Sequence, residues 1–140
     1  MSDRHLQCVV VTPEKAVLDE SAESVILPMF DGELGVLVGR APLIGRLGAG
    51  ELRIVHHGRT QRFFVDGGFA QVRGNVVTVL TARALKANEI NAAAAEAALR
   101  EASKPVVGDA AQEAALKAQD RARAQLRMAA SAGATTPAAH

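Results

Sequence analysis

The chain has 140 residues, a formal net charge of +1, and four Phe with no Trp or Tyr. That length supports a core burying about two thirds of the unfolded surface without staples. The near-neutral balance and the scarcity of stacking rings exclude any general electrostatic or base-stacking case for nucleic acid.

Met1 to Leu6 is polar, with no apolar signal core and no arginine-rich amphipathic presequence, and no apolar run approaches the roughly 20 residues of a membrane span. The expectation is a soluble protein that works where it is made. The single cysteine, Cys8, cannot form an internal disulfide; between Gln7 and Val9 in a β-prone run it reads as a small buried apolar side chain in a reducing compartment.

Up to about Arg83 the chain is rich in Val, Leu, Ile, Phe and Gly. Leu6 to Val11, Ala16 to Leu18, Ser24 to Met29, Glu51 to His56, Thr60 to Val65, Phe69 to Arg73 and Val76 to Thr81 read as short strands. Turn signals separate them at Thr12-Pro13-Glu14, Asp31-Gly32, His57-Gly58, Asp66-Gly67-Gly68 and Arg73-Gly74-Asn75. Short strands without intervening helical periods predict an antiparallel β-sandwich or flattened barrel over residues 1–87. The stretch from Gly32 to Leu43 holds too many turn formers for one element and is too apolar for a solvated loop, so it reads as a tight, buried corner. The glycine-rich run from Gly45 to Gly50 lacks the Gly-Lys-Ser/Thr ending of a phosphate loop and reads as connection and corner geometry. His56 and His57 are adjacent in a strand, where side chains point to opposite faces, which argues against a shared metal.

From Ala87 onward Ala dominates and strong helix formers replace β-branched residues. Residues 88–130 read as an antiparallel two-helix hairpin broken at Lys104-Pro105-Val106-Val107-Gly108, with Asn91 as the N-cap of the first helix. Asp109 with Gln112 resembles a capping box for the second. Ile90, Leu99, Leu116 and Leu126 are the expected large anchors. An inward face of mostly Ala gains little on docking, at about 0.8 kcal/mol per buried methylene, so the hairpin should detach at modest cost. Residues 131–140, small and polar with a proline, read as a disordered tail.

The order and spacing of Gly32-Glu33-Leu34-Gly35-Val36-Leu37, Gly39-Arg40-Ala41-Pro42-Leu43, Val65-Asp66-Gly67-Gly68-Phe69 and Val77-Thr78-Val79-Leu80, followed by a helical hairpin, resembles the epsilon subunit of the F-type ATP synthase. The resemblance covers about Leu6 to Leu126. It implies a noncatalytic rotor subunit of a proton-translocating complex: a sandwich that grips the gamma subunit and rests on the rotor c-ring, and a hairpin that extends toward the catalytic alpha and beta subunits to block ATP hydrolysis. No cofactor, metal or catalytic residue is implied. The peripheral site of work would be the cytoplasmic face of a bacterial cell membrane, ahead of a chloroplast thylakoid.

On this resemblance Arg40, Ala41, Pro42 and Leu43 form the stalk contact, with Pro42 stiffening the turn. The family usually has His where this chain has Arg40. Glu33 matches an acidic position near the rotor ring, and two readings stand for it: a partner for a basic loop, or a solvated turn carboxylate. Lys117, Arg121, Arg123 and Arg127 would engage an acidic segment of the beta subunit, or else complement the helix dipole and solvate an outer face. Some relatives bind ATP through a hairpin motif of Ile or Leu, Asp, two variable residues, then Arg-Ala. Here Asn91 replaces the acid and Ala94 the arginine, which implies weak or absent ATP sensing. The reading of a different class is a free-standing β-sandwich ligand-binding module with a helical appendage. Glycine corners without a cluster of aromatic or polar ligand contacts favour the rotor subunit.

Overall fold

A computed structural model describes residues 5–132. Eight strands come first: β1 (Leu6–Val11), β2 (Ala16–Ala22), β3 (Ser24–Met29), β4 (Gly32–Leu37), β5 (Leu43–His56), β6 (Arg59–Arg73), β7 (Val76–Leu80) and β8 (Ala84–Lys86). A 3-10 turn (Ala87–Glu89) leads to α1 (Ala92–Ala102) and α2 (Asp109–Ala132). The strand order is β2-β1-β7-β6-β5-β3-β4, with β8 also on β6. Every pairing is antiparallel except β1 with β7, which is parallel.

The two long strands explain how one sheet makes two layers. The first half of β5 and the second half of β6 pair beside β7, while their other halves pair beside β3 and β8. Folding the sheet at their middle brings alternate residues of both halves into one core: Leu6, Cys8, Val10, Val77 and Val79 meet Val25, Leu27, Leu52, Ile54, Phe63 and Val65.

Three expectations fail in the first half. Gly32 to Leu43 is not one buried corner. Gly32–Leu37 is the edge strand β4, with only Val36 buried, and the chain after it is exposed. The run from Gly45 to Gly50 lies inside β5, where a Cβ on Gly50 would stand 2.9 Å from Pro28 Cβ, so the missing side chain lets β3 approach. Asp66-Gly67-Gly68 does not end a strand. The β5–β6 register continues across it, and the two glycines kink β6 with φ of +74° and +105°.

His57-Gly58 is the tight β5–β6 turn, with φ of 53° and 75°. Because His57 has left the strand, its ring does not oppose that of His56; the centroids are 4.0 Å apart.

In the hairpin, Asn91 Oδ1 accepts the Ala94 N–H at 3.0 Å, the expected cap. The expected capping box at Asp109 is absent. Gln112 N–H donates to the Gly108 carbonyl at 2.9 Å, which puts Asp109 inside the first turn. α2 runs through Ala132, past the expected end near Ala130; the remainder of the expected tail, residues 133–140, lies outside the described residues. Leu116 is 59% exposed and anchors nothing. The helix is seated instead by Ala124 and Met128 against Phe64.

Candidate functional site

The hairpin packs on one sheet face of the sandwich. On β6, Phe63 faces the core and Phe64 faces α2, where it packs with Ala124, Met128 and the half-buried Ala49, Leu85 and Ile90. Among the described residues no hydrophobic cluster covers the outer side of the β1–β7–β6–β5 layer, and Phe69 at its margin borders a cleft with α2. On that outer side Ile44 (71% exposed), Phe69 (54%), Leu80 (52%) and Val76 (39%) form an apolar strip interrupted by polar side chains. Register sets Phe69 beside Leu80 on one side and Arg46 on the other, with Gln71 between Ile44 and Thr78 and Arg73 next to Val76, and the Arg46 guanidinium lies 4.5 Å over the Phe30 ring. Sequence reasoning passed over this strip. Its signal was present in β7, where Val76-Val77-Thr78-Val79-Leu80 is apolar at both parities and so has more apolar surface than one core can take.

The residues expected at the stalk contact lie at one end of that layer. Arg40, Ala41 and Pro42 are exposed and Leu43 opens β5. Their loop is pinned: Arg40 N–H donates to the Leu37 carbonyl at 3.2 Å, and Gly39 N–H donates to Asn75 Oδ1 at 2.9 Å. Asn75 is itself held in the left-handed region, φ 64°, by the β6–β7 turn. Two loops remote in sequence thus support each other, alongside exposed Leu37 and Val38.

Glu33 is near the opposite end of β4 from the loop bearing Arg40, about 13 Å of extended strand from Leu37. It is engaged within the chain. Arg53 donates to Glu33 Oε1 at 3.2 Å and Oε2 at 3.3 Å, and to Glu51 Oε1 at 3.3 Å; Glu51 also pairs with Arg62. Burial works against the Arg53 charge, but the Glu33 and Glu51 carboxylates outweigh it and hold the guanidinium above its ordinary value.

The basic residues of α2 divide into two sets. Arg123 and Arg127 are exposed, whereas Arg121 turns inward and donates from Nε to Asp66 Oδ2 at 2.9 Å. Lys117, one turn earlier, lines the same cleft with Asp120, Phe30 and Phe69. At the degenerate nucleotide motif, the Asn91 oxygen is committed to its cap and Ala94 presents a methyl to solvent. Among the described residues no helix is long and apolar enough to cross a membrane, and no cluster of three His, Cys, Asp or Glu could hold a metal. Cys8 is buried in the core, and burial, with Glu20 and Asp19 adding, pushes its thiol up to about 12.

Residues 5–87 match the family model described as the beta-sandwich domain of the ATP synthase delta/epsilon chain. The chain is 51% identical over 124 residues to the ATP synthase epsilon chain of Rhodopirellula baltica, covering 87% of this chain and 96% of that one. It is 42% identical over 123 residues to the epsilon chain of Synechococcus sp. (strain JA-2-3B'a(2-13)), covering 86% and 90%. Among solved structures, a chain from the Euglena gracilis mitochondrial ATP synthase (OSCP/F1/c-ring) shares the fold with a TM-score of 0.77 at 22% identity, over 94% of this chain and 82% of that one. A chain from the central stalk and c-ring of the Tetrahymena thermophila enzyme has a TM-score of 0.71 at 16% identity, over 89% and 96%.

Proposed function

The chain belongs to the epsilon subunits of the F-type ATP synthase, noncatalytic components of that complex, and from this membership we propose that it couples the gamma subunit to the rotor c-ring and restrains ATP hydrolysis through its C-terminal hairpin. The observation that supports the coupling role is the exposed, polar-interrupted apolar strip of Ile44, Phe69, Val76 and Leu80, outside the Phe64–α2 contact. Apolar side chains left in water on a rigid sheet are stabilised by a partner surface, here that of gamma. A torque-bearing contact must also resist bending, and the loop bearing Arg40, Ala41, Pro42 and Leu43 is stiffened by Pro42 and the Asn75 tie. These residues complete the stalk interface, and Glu33, steadied by Arg53, faces the ring side.

Residues 88–130 act as the regulatory arm, with exposed Lys117, Arg123 and Arg127 available to acidic surface on the alpha and beta subunits once the arm extends. The subunit works at the cytoplasmic face of a bacterial membrane and touches the bilayer only through the complex. Copurification tests the coupling role. Wild type should bring down gamma in equal proportion, and Phe69→Glu with Leu80→Glu, both on exposed side chains, should lose it; full retention of gamma by that double variant would refute the assignment of the strip.

A further inference from the structure

We propose that Asp66 and Arg121 form a latch that holds the hairpin on the sandwich, so that Arg121 serves the docked state and is not one of the residues that act when the arm extends. The inference rests on the reading of the hairpin as a movable regulator and specifies what keeps it at rest.

The anchor is built on the sandwich before the helix arrives. The Asp66 N–H donates to Thr81 Oγ1 at 3.1 Å and to the Arg83 carbonyl at 3.1 Å, and Thr81, buried, is tied by its own N–H to the Val11 carbonyl at 3.0 Å. Immediately after it β6 kinks at Gly67 and Gly68, and a Cβ on Gly68 would stand 1.9 Å from the Leu80 carbonyl oxygen. The kink thus packs tightly against the end of β7, and the Asp66 carboxylate lies beside α2 with its side chain 17% exposed. Pre-set geometry on one side lowers the ordering cost of the pair.

The helix presents the matching stripe. Arg121, Ala124, Met128 and Ser131 follow one another at spacings of three, four and three, which keeps them on one face. The middle of the stripe is apolar and small, packing on Phe64, and its ends are polar: Arg121 meets Asp66, and Ser131 Oγ accepts from Arg62 at 2.8 Å. The two polar ties are about 15 Å apart along the axis. The apolar contact on α2 is small, with Ala124 and Met128 as its fully buried members against Phe64, so an ion pair at its edge adds appreciably to docking. Extension separates the pair and returns both charges to water, so the contact favours the docked state only.

Hydrogen exchange of the full-length chain tests the latch. Asp66→Asn and Arg121→Gln should each speed exchange of the amides of residues 117–131 by roughly threefold to tenfold, the range of a charge-assisted contact discounted for partial exposure. The double variant should exchange no faster than either single one, because the second change removes nothing more. Unchanged exchange in both single variants, or effects that multiply in the double, would overturn the proposal. If Asp66→Asn also loosens β1 and β7, Arg121→Gln decides alone, since it leaves every strand bond in place, and unchanged exchange there is again fatal to the latch. Hydrolysis by the assembled enzyme separates this idea from the regulatory reading. A working latch on an inhibitory arm makes Arg121→Gln more inhibited than wild type, and faster exchange with unchanged hydrolysis would keep the latch while refuting the regulator.

Discussion

Phe63 and Phe64 are consecutive in β6, both nearly inaccessible to solvent, and belong to different cores. One side of the strand closes the sandwich and the other receives α2. The strand is thus the shared wall between the rigid body and the arm, and the two rings can be separated by mutation although one peptide bond joins them.

Phe64→Ala should free the hairpin and spare the sandwich. The ring is the largest group under α2, and truncating a buried Phe costs about 3–5 kcal/mol where nothing collapses into the space. Limited proteolysis should then cut within residues 103–131 much faster than in wild type while β1 and β7 amides stay protected. Phe63→Ala should do the reverse and lower the urea midpoint of the sandwich. Equal loss of protection in both regions for both variants would contradict the division.

Gly68→Ala should be among the most damaging single changes in the chain. Its φ of +105° is costly for any L side chain, and the added carbon would overlap the Leu80 carbonyl. A loss of roughly 3 kcal/mol or more is expected from strain and lost pairing together. A denaturation curve within 1 kcal/mol of wild type, about the size of a harmless surface change, would show that β6 does not need this kink.

Cys8 should be silent toward thiol reagents at pH 8 in the folded chain and react only on unfolding. Its folded pKa is raised from 9.0 to about 12, so the folded state keeps a proton that the unfolded state releases. The contribution to stability is therefore complete below pH 9 and declines as pH climbs through 9 to 12, by about 1.4 kcal/mol per unit at most. Cys8→Ala should be less sensitive than wild type over that window, measured by urea midpoint against pH. Parallel curves would remove the thiol as the cause.

ATP should bind the isolated chain weakly or not at all. Asn91 caps α1 with its side-chain oxygen, and Ala94 offers no guanidinium to phosphate. Isothermal calorimetry at submillimolar ATP should register no saturable heat, and a clear binding isotherm would reverse the expectation.

Much of this fold was legible from periodicity and punctuation. Leu6, Cys8 and Val10 alternate with half-buried neighbours as a strand with one covered face must, Asn91 starts a helix where its oxygen can meet a free N–H, and His57-Gly58 closes a hairpin because both positions need positive φ. Each depends on residues within a turn or a strand's length of one another, so the chain carries the information locally. The four motif segments gave the family in the same way, through their order and spacing.

What local pattern left open was which surfaces meet. Gly45, Gly48 and Gly50 look like turn formers until β3 is laid beside them, and Leu116 looks like an anchor until α2 is rotated to seat Met128. Arg121 looks like the other exposed bases of its helix until the kink at Gly67 and Gly68 sets Asp66 opposite it. The sequence by itself determined most of the elements, the Asn91 cap and the kinship, because hydrogen-bond geometry and side-chain period act over a few residues. Only the tertiary structure decided which face of each element is covered and which charge is paired, because burial and ion pairing are set by groups tens of residues away that meet only when the long sheet folds over.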